Sequence, residues 1–212
     1  MSEALSDTLV DLKVSPVSVA VKERLAEFKL LNTLAEDEWF SELCFCILTA
    51  NSSAKKGMQI QTELGDGFAT LPKKELSKEL KRLGYRFFNK RAEYIIEARK
   101  HSPGLKKNIQ KLAKKDTRAA REWLVANVKG LGYKEASHFL RNVGYTDVAI
   151  LDRHILRTMA ETEMIPEVPK SLNRVQYLTY ENVLRLVAYR LKLSLAALDL
   201  YLWYLKTGKV LK

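Results

Sequence analysis

Lys134 stands two residues after a Gly130-Leu131-Gly132 turn, and Asp152 follows eighteen residues later. A lysine amine attacks carbon once it has lost its proton, and with an aldehyde carbon it forms a Schiff base. The first turn of a helix disfavours a cation there, and burial would add to that. A carboxylate at the distance of one helix can stabilise positive charge building on an electrophilic carbon and accept the proton that the lysine sheds. Each residue also has a plainer role, Lys134 as a phosphate contact and Asp152 as a helix cap. Their pairing behind a glycine hairpin favours chemistry.

The elements around them are legible. Ala120, Trp123, Leu124 and Val128 mark one helix, and Ala136, Phe139, Leu140 and Val143 mark a second that Gly144 ends. The glycines between them allow the backbone to approach a ligand, and amides at a helix N-terminus suit an anion such as a DNA phosphate. Gly130, Gly132 and the neighbouring Lys129 are the candidate phosphate contacts. An extended stretch from Tyr145 to Leu151 leads to Asp152, which precedes a third helix containing Ile155, Leu156 and Met159.

Helical periodicity continues through most of the chain. Ser15-Pro16 is a helix start, after which Val21, Leu25 and Phe28 share a face. An apolar helix through Leu43, Cys44 and Ile47 ends near Asn51. Strand-like alternation is rare, so the expected fold is all-α, with roughly ten helices and short connections. With 212 residues and 47% hydrophobic content, the chain can bury a sizeable core.

Charge narrows the function class. Residues 71–130 carry 18 Lys and Arg against 6 Asp and Glu, while the net charge of the whole chain is +11. A basic region this concentrated points to a polyanion partner, most often nucleic acid. The competing explanation is a lysine-rich solvated surface. The apolar stretch Leu193–Leu205 is interrupted by Asp199 and too short to span a bilayer, and no secretion signal is apparent. Cys44 and Cys46 read as buried thiols in a reducing compartment. Two cysteines cannot form the usual iron–sulfur site, and His101, His138 and His154 lack metal-ligand spacing. His154 reads as a helix-end or packing residue.

The segment Gly130-Leu131-Gly132-Tyr133-Lys134-Glu135-Ala136, followed by Leu151-Asp152-Arg153-His154-Ile155, resembles the helix-hairpin-helix signature of a DNA glycosylase superfamily. Thr49-Ala50-Asn51-Ser52 and the lysine-terminated tail Trp203–Lys212 are similar to the compact archaeal-type (type 2) 8-oxoguanine glycosylase/lyases. That resemblance implies two helical lobes with the active site between them: residues 1–37 packing with the C-terminal lobe, 38–133 as a central lobe ending in the hairpin, and 134–212 as the lobe with the catalytic pair and tail. It makes Lys134 the nucleophile, Asp152 the essential carboxylate, and Asn51 the residue that fills the gap left by a flipped base. Lys212 would help to recognise the base, and Phe88 (or Phe87) and Trp203 would clamp it. The implied partner is double-stranded DNA containing an oxidised base. No metal, cofactor or membrane is implied, and the expectation is a cytoplasmic monomer. Two alternatives stay open: a glycosylase/lyase for another oxidised base, and a helix-hairpin-helix DNA-binding protein without catalysis.

Overall fold

The computed structural model describes residues 3–212, and every regular element among them is helical. Helices α1 (Glu3–Val14) and α2 (Val17–Thr33) lead into α3 (Glu36–Thr49). Then come α4 (Ala54–Leu64), the single turn α5 (Gly67–Thr70), α6 (Lys73–Arg82), α7 (Phe88–Ala98), α8 (Leu105–Ala113) and α9 (Thr117–Asn127). The last four are α10 (Tyr133–Asn142), α11 (Arg153–Glu161), α12 (Arg174–Arg190) and α13 (Leu195–Thr207). These thirteen α-helices exceed the number expected. Pieces as short as α5 span barely one turn, which is too little for an apolar period to show.

Two hydrophobic cores divide the helices. The central core is built around α3, whose residues from Glu42 to Thr49 are all buried. Helices α4, α7, α8 and α10 pack on it, with Ile60, Ile95, Ile109 and Phe139 fully enclosed. Burying each such side chain contributes about 1.5–3 kcal/mol. The second core joins both ends of the described chain: Leu9 and Val21 from α1 and α2 pack with Ile155, Met159, Leu184 and Leu198. The cores meet where the chain passes from Val148, in the first, to Ala149, in the second.

Helix α10 is the wall between them. Its apolar residues Ala136, Phe139 and Leu140, with Val143 at its C-cap, belong to the central core. Lys134, His138 and Arg141, at i, i+4 and i+7, form a stripe along the cleft. The expected division at residues 133/134 therefore falls at the first residue of a helix that serves both cores.

The extended stretch before Asp152 is held by buried side chains. Arg121 and Glu181 form a two-pronged ion pair, with Nη1–Oε1 2.6 Å and Nη2–Oε2 2.9 Å, and neither side chain is solvent-exposed. Glu181 Oε1 also accepts the Ala149 amide at 2.9 Å. The Tyr177 phenol donates to the Ala149 carbonyl (2.7 Å) and accepts from the Leu151 amide (3.3 Å). A strand-like piece without a sheet partner thus has several of its backbone groups satisfied by α12, and the Thr146 carbonyl by the Ala196 amide of α13.

Candidate active site

A cleft of about 1130 Å³ opens beside the stripe of α10. Lys134, Asp152, Asn51, Gly132, Trp203 and Lys212 all line it, although they are spread over more than 160 positions of the chain. Six of the expected site residues therefore converge, and three do not.

Lys134 occupies the first turn of α10, half-buried, with Nζ 3.5 Å from Glu135 Oε1. Asp152 is the N-cap of α11: its Oδ1 accepts the Ile155 amide at 2.8 Å, which leaves Oδ2 outside the cap. Capping and a place in the cleft are thus compatible. The cap fixes the side-chain rotamer of a carboxylate that lines the cleft with the lysine.

The hairpin between α9 and α10 depends on Gly130, whose φ is +88°. A Cβ there would drive into the Tyr94 ring and come within 3.1 Å of Arg91 Nη1. Gly130 lies outside the cleft wall, as does Lys129. The Lys129 ammonium is also already partnered, 3.0 Å from Glu97 and 3.5 Å from Glu93. A phosphate would have to compete with both carboxylates. The Gly132 amide is likewise occupied, donating to Glu135 Oε2 at 3.2 Å.

Asn51 follows the end of α3 in a left-handed conformation, φ 60°, which asparagine tolerates better than most residues. It is exposed at the cleft edge. Trp203, on α13, packs against the edge of His154 with ring centroids 4.9 Å apart, and its indole Nε1 is buried with no acceptor. Phe88 is not a cleft residue. It opens α7 half-buried against the central core, with Lys81 Nζ 5.5 Å from its ring centroid. Phe87 is exposed and stacked with Arg86. Neither ring lines the cavity, so only Trp203 of the expected clamp stands in its wall.

Three buried polar residues of the cleft region were given no functional role by the sequence reading. Asp199, one turn before Trp203 on α13, forms a buried ion pair with Arg141. Burial pushes its carboxyl up to about 6; Arg141 opposes that shift and the nearby Asp152 adds to it. His138 is 6% exposed, and its ring nitrogens have no well-formed hydrogen bond, with only the Lys212 main chain close by. Burial, followed by the charges of Arg141, Lys134 and Lys212, holds its imidazole well below the usual histidine range, so it is neutral. Glu42 is 1% exposed in the middle of α3. Its Oε1 accepts from Asn142 Nδ2 at 2.6 Å and its Oε2 from Lys212 Nζ at 2.7 Å. The available signal was a charge set directly against the uninterrupted apolar run Leu43–Leu48, since buried charges need partners.

A half-buried amine, a fixed carboxylate, a flat aromatic wall and a basic flank can together bind DNA, accept an extruded base and attack the sugar behind it. Among the described residues no cluster of metal-ligating side chains occurs, and no helix is long and apolar enough to cross a membrane.

Residues 21–193 match the family described as 8-oxoguanine DNA glycosylase. The chain is 54% identical over 204 residues to the 8-oxoguanine DNA glycosylase/AP lyase of Methanocaldococcus jannaschii, covering 95% of this chain and 96% of that one. A crystal structure of the Methanocaldococcus jannaschii 8-oxoguanine glycosylase/lyase with a 15mer DNA containing 8-oxoguanine superposes with a TM-score of 0.96. It is 52% identical and covers 99% of this chain and 100% of that one. The 8-oxoguanine DNA glycosylase of Thermotoga maritima is 46% identical, with a TM-score of 0.93 and 99% coverage of both chains.

Proposed function

Since the chain belongs to the 8-oxoguanine DNA glycosylase family, we propose that it excises 8-oxoguanine from duplex DNA through a Lys134 Schiff base and then cuts the strand at the abasic site. The observation that carries this reading is the convergence of Lys134 and Asp152 on one cleft, next to a hairpin whose fold demands glycine.

In this scheme the duplex lies across the basic flank. The damaged nucleotide swings out at a cost of about a few kcal/mol, and Asn51 enters the gap. The base lies against Trp203, and Lys212 contributes to its recognition. As the N-glycosidic bond lengthens, the ionised Asp152 offsets the positive charge building on the sugar. The Lys134 amine, its ammonium proton already shed to water, attacks C1′, and the electron pair of the broken bond leaves with the base. The proton in excess on the newly bonded nitrogen passes through Asp152 to the departing base. Ring opening, with O4′ taking a proton from water, gives a protonated imine, which acidifies the C2′ hydrogens. Loss of one of them expels the 3′ phosphate by β-elimination, and water releases the lysine. The residues involved need no cofactor for these steps, and the protein works as a monomer.

Borohydride trapping tests the scheme, because only an imine is reduced to a permanent protein–DNA link. Trapping on 8-oxoguanine duplex that vanishes in Lys134→Gln, with DNA binding retained, supports it. Undiminished trapping in that variant assigns the nucleophile to another lysine. Running the same assay with oxidised pyrimidines identifies the lesion.

A further inference from the structure

Lys212 does not hang free in the cleft. Its ammonium has three neighbours suited to its three N–H donors: Glu42 Oε2 at 2.7 Å, Gln61 Oε1 at 2.6 Å and the face of Phe45, 4.4 Å from the ring centroid. The amide of Gln61 in turn donates to Ser41 (3.1 Å) and to Glu42 Oε2 (3.2 Å), which orients its oxygen toward the lysine. From this arrangement we infer that Glu42, with Gln61, is a built receptor for the Lys212 side chain and positions the tail against the base pocket. The inference rests on the reading of Lys212 as a base-recognition residue. It adds that the ammonium is the anchor, so contact with the base falls to the side-chain stem and the main chain of the tail.

Glu42 also ties the tail to the chemistry. Its other oxygen accepts from Asn142 on α10, and Asn142 Oδ1 accepts from Arg141 Nε (3.0 Å) and Nη2 (2.9 Å). Arg141 is paired with Asp199, and Lys134 begins the same helix. One carboxylate therefore holds the recognition element in register with the helix of the nucleophile. A base gripped by the tail is presented at a fixed distance from the amine that attacks its sugar, and a misplacement of about 1 Å is enough to cost roughly a hundredfold in rate.

The discriminating variant is Glu42→Gln. A carboxylate accepts on both sides, whereas an amide that accepts from Asn142 turns an NH2 toward Lys212 and releases it. The readout is the ratio of single-turnover 8-oxoguanine excision to cleavage of a pre-formed abasic site. Lys212→Met should lower that ratio roughly ten- to hundredfold, as expected for losing hydrogen bonds to a charged group. Glu42→Gln should match it, and the double variant should be no worse than either single one. Gln61→Met, in a half-buried position on α4, should show a smaller loss of the same kind and carries the test if Glu42→Gln does not fold. A drop for Lys212→Met with none for Glu42→Gln or Gln61→Met overturns the receptor but keeps the tail as reader. An unchanged ratio for Lys212→Met removes the reader and the receptor together. Equal losses on both substrates, or losses that multiply in the double variant, make Glu42 a structural residue only.

Discussion

Asp152 and Ile155 are joined by a 2.8 Å hydrogen bond from the backbone amide of the second to one carboxylate oxygen of the first. That bond starts α11 and sets the direction of the carboxylate, so one side chain serves both the fold and the reaction. The two roles separate in Asp152→Asn. Asparagine caps as well as aspartate, so stability should fall by less than about 1 kcal/mol. Excision should fall by roughly a hundredfold or more, because the charge facing the sugar cation is gone. Single-turnover rates and thermal melts of the same preparation decide it. An unfolded variant that stays fully active per folded molecule would make Asp152 a cap alone.

The Arg121–Glu181 pair invites the opposite kind of test. Arg121→Met leaves Glu181 buried without its partner, an expected cost of about 3–5 kcal/mol and a drop in melting temperature of roughly 10 °C. Arg121→Met with Glu181→Leu should recover part of the loss but not the activity, because the Ala149 amide then lacks its acceptor. Full activity in the double variant would show that the stretch before Asp152 holds itself.

Asp199 gives a pH dependence with a definite sign. Its carboxyl is raised from 3.8 to about 6, so between those values the folded protein holds a proton that the unfolded chain has lost. This group's contribution to stability is therefore greatest below pH 4 and declines as pH rises through 6. Carboxyl carbon NMR of Asp199 should show a midpoint near 6. A midpoint below 4 would mean that the Arg141 ion pair outweighs burial.

DNA affinity should respond to the exposed lysines of α6 that have no carboxylate partner. Replacing Lys74, Lys78 and Lys81 by glutamine should weaken binding to damaged and intact duplex alike and reduce the salt slope by roughly one unit per residue. Lys129→Gln should change the slope less, since Glu97 and Glu93 already neutralise its ammonium. Titrations at several salt concentrations test both statements; an unchanged slope in the triple variant would move the phosphate contacts elsewhere.

Local signals in the sequence were strong where one residue type had a single conformational reason to be present. Gly130 at positive φ, Asp152 at an N-cap and the helical period of α9 and α10 could all be read without a structure. The lysine–aspartate pair followed from them. Phe88 could not be placed, because an aromatic side chain after a glycine turn fits a core and a clamp equally well, and the rotation of α7 decides between them. Lys129 looked free because Glu93 and Glu97 are more than thirty residues away in sequence. Glu42 and Asp199 were hidden for a related reason. Their significance lies in partners on other helices, and a single charge in an apolar run does not name its partner.

The second core has a topological consequence. Leu9 and Val21 find their partners on α11 to α13, well over a hundred residues downstream. As the chain leaves the ribosome, α1 and α2 emerge long before the partners of Leu9 and Val21, with only one side of α2 able to dock on α3 and α10, while α3 to α10 already contain most of a core of their own. The order of synthesis is therefore not the order of folding: the middle can close first, and the leading helices wait, apolar and unpaired, until the trailing third arrives. That interval is when the nascent protein is most exposed to aggregation, and the burden falls on α1 and α2.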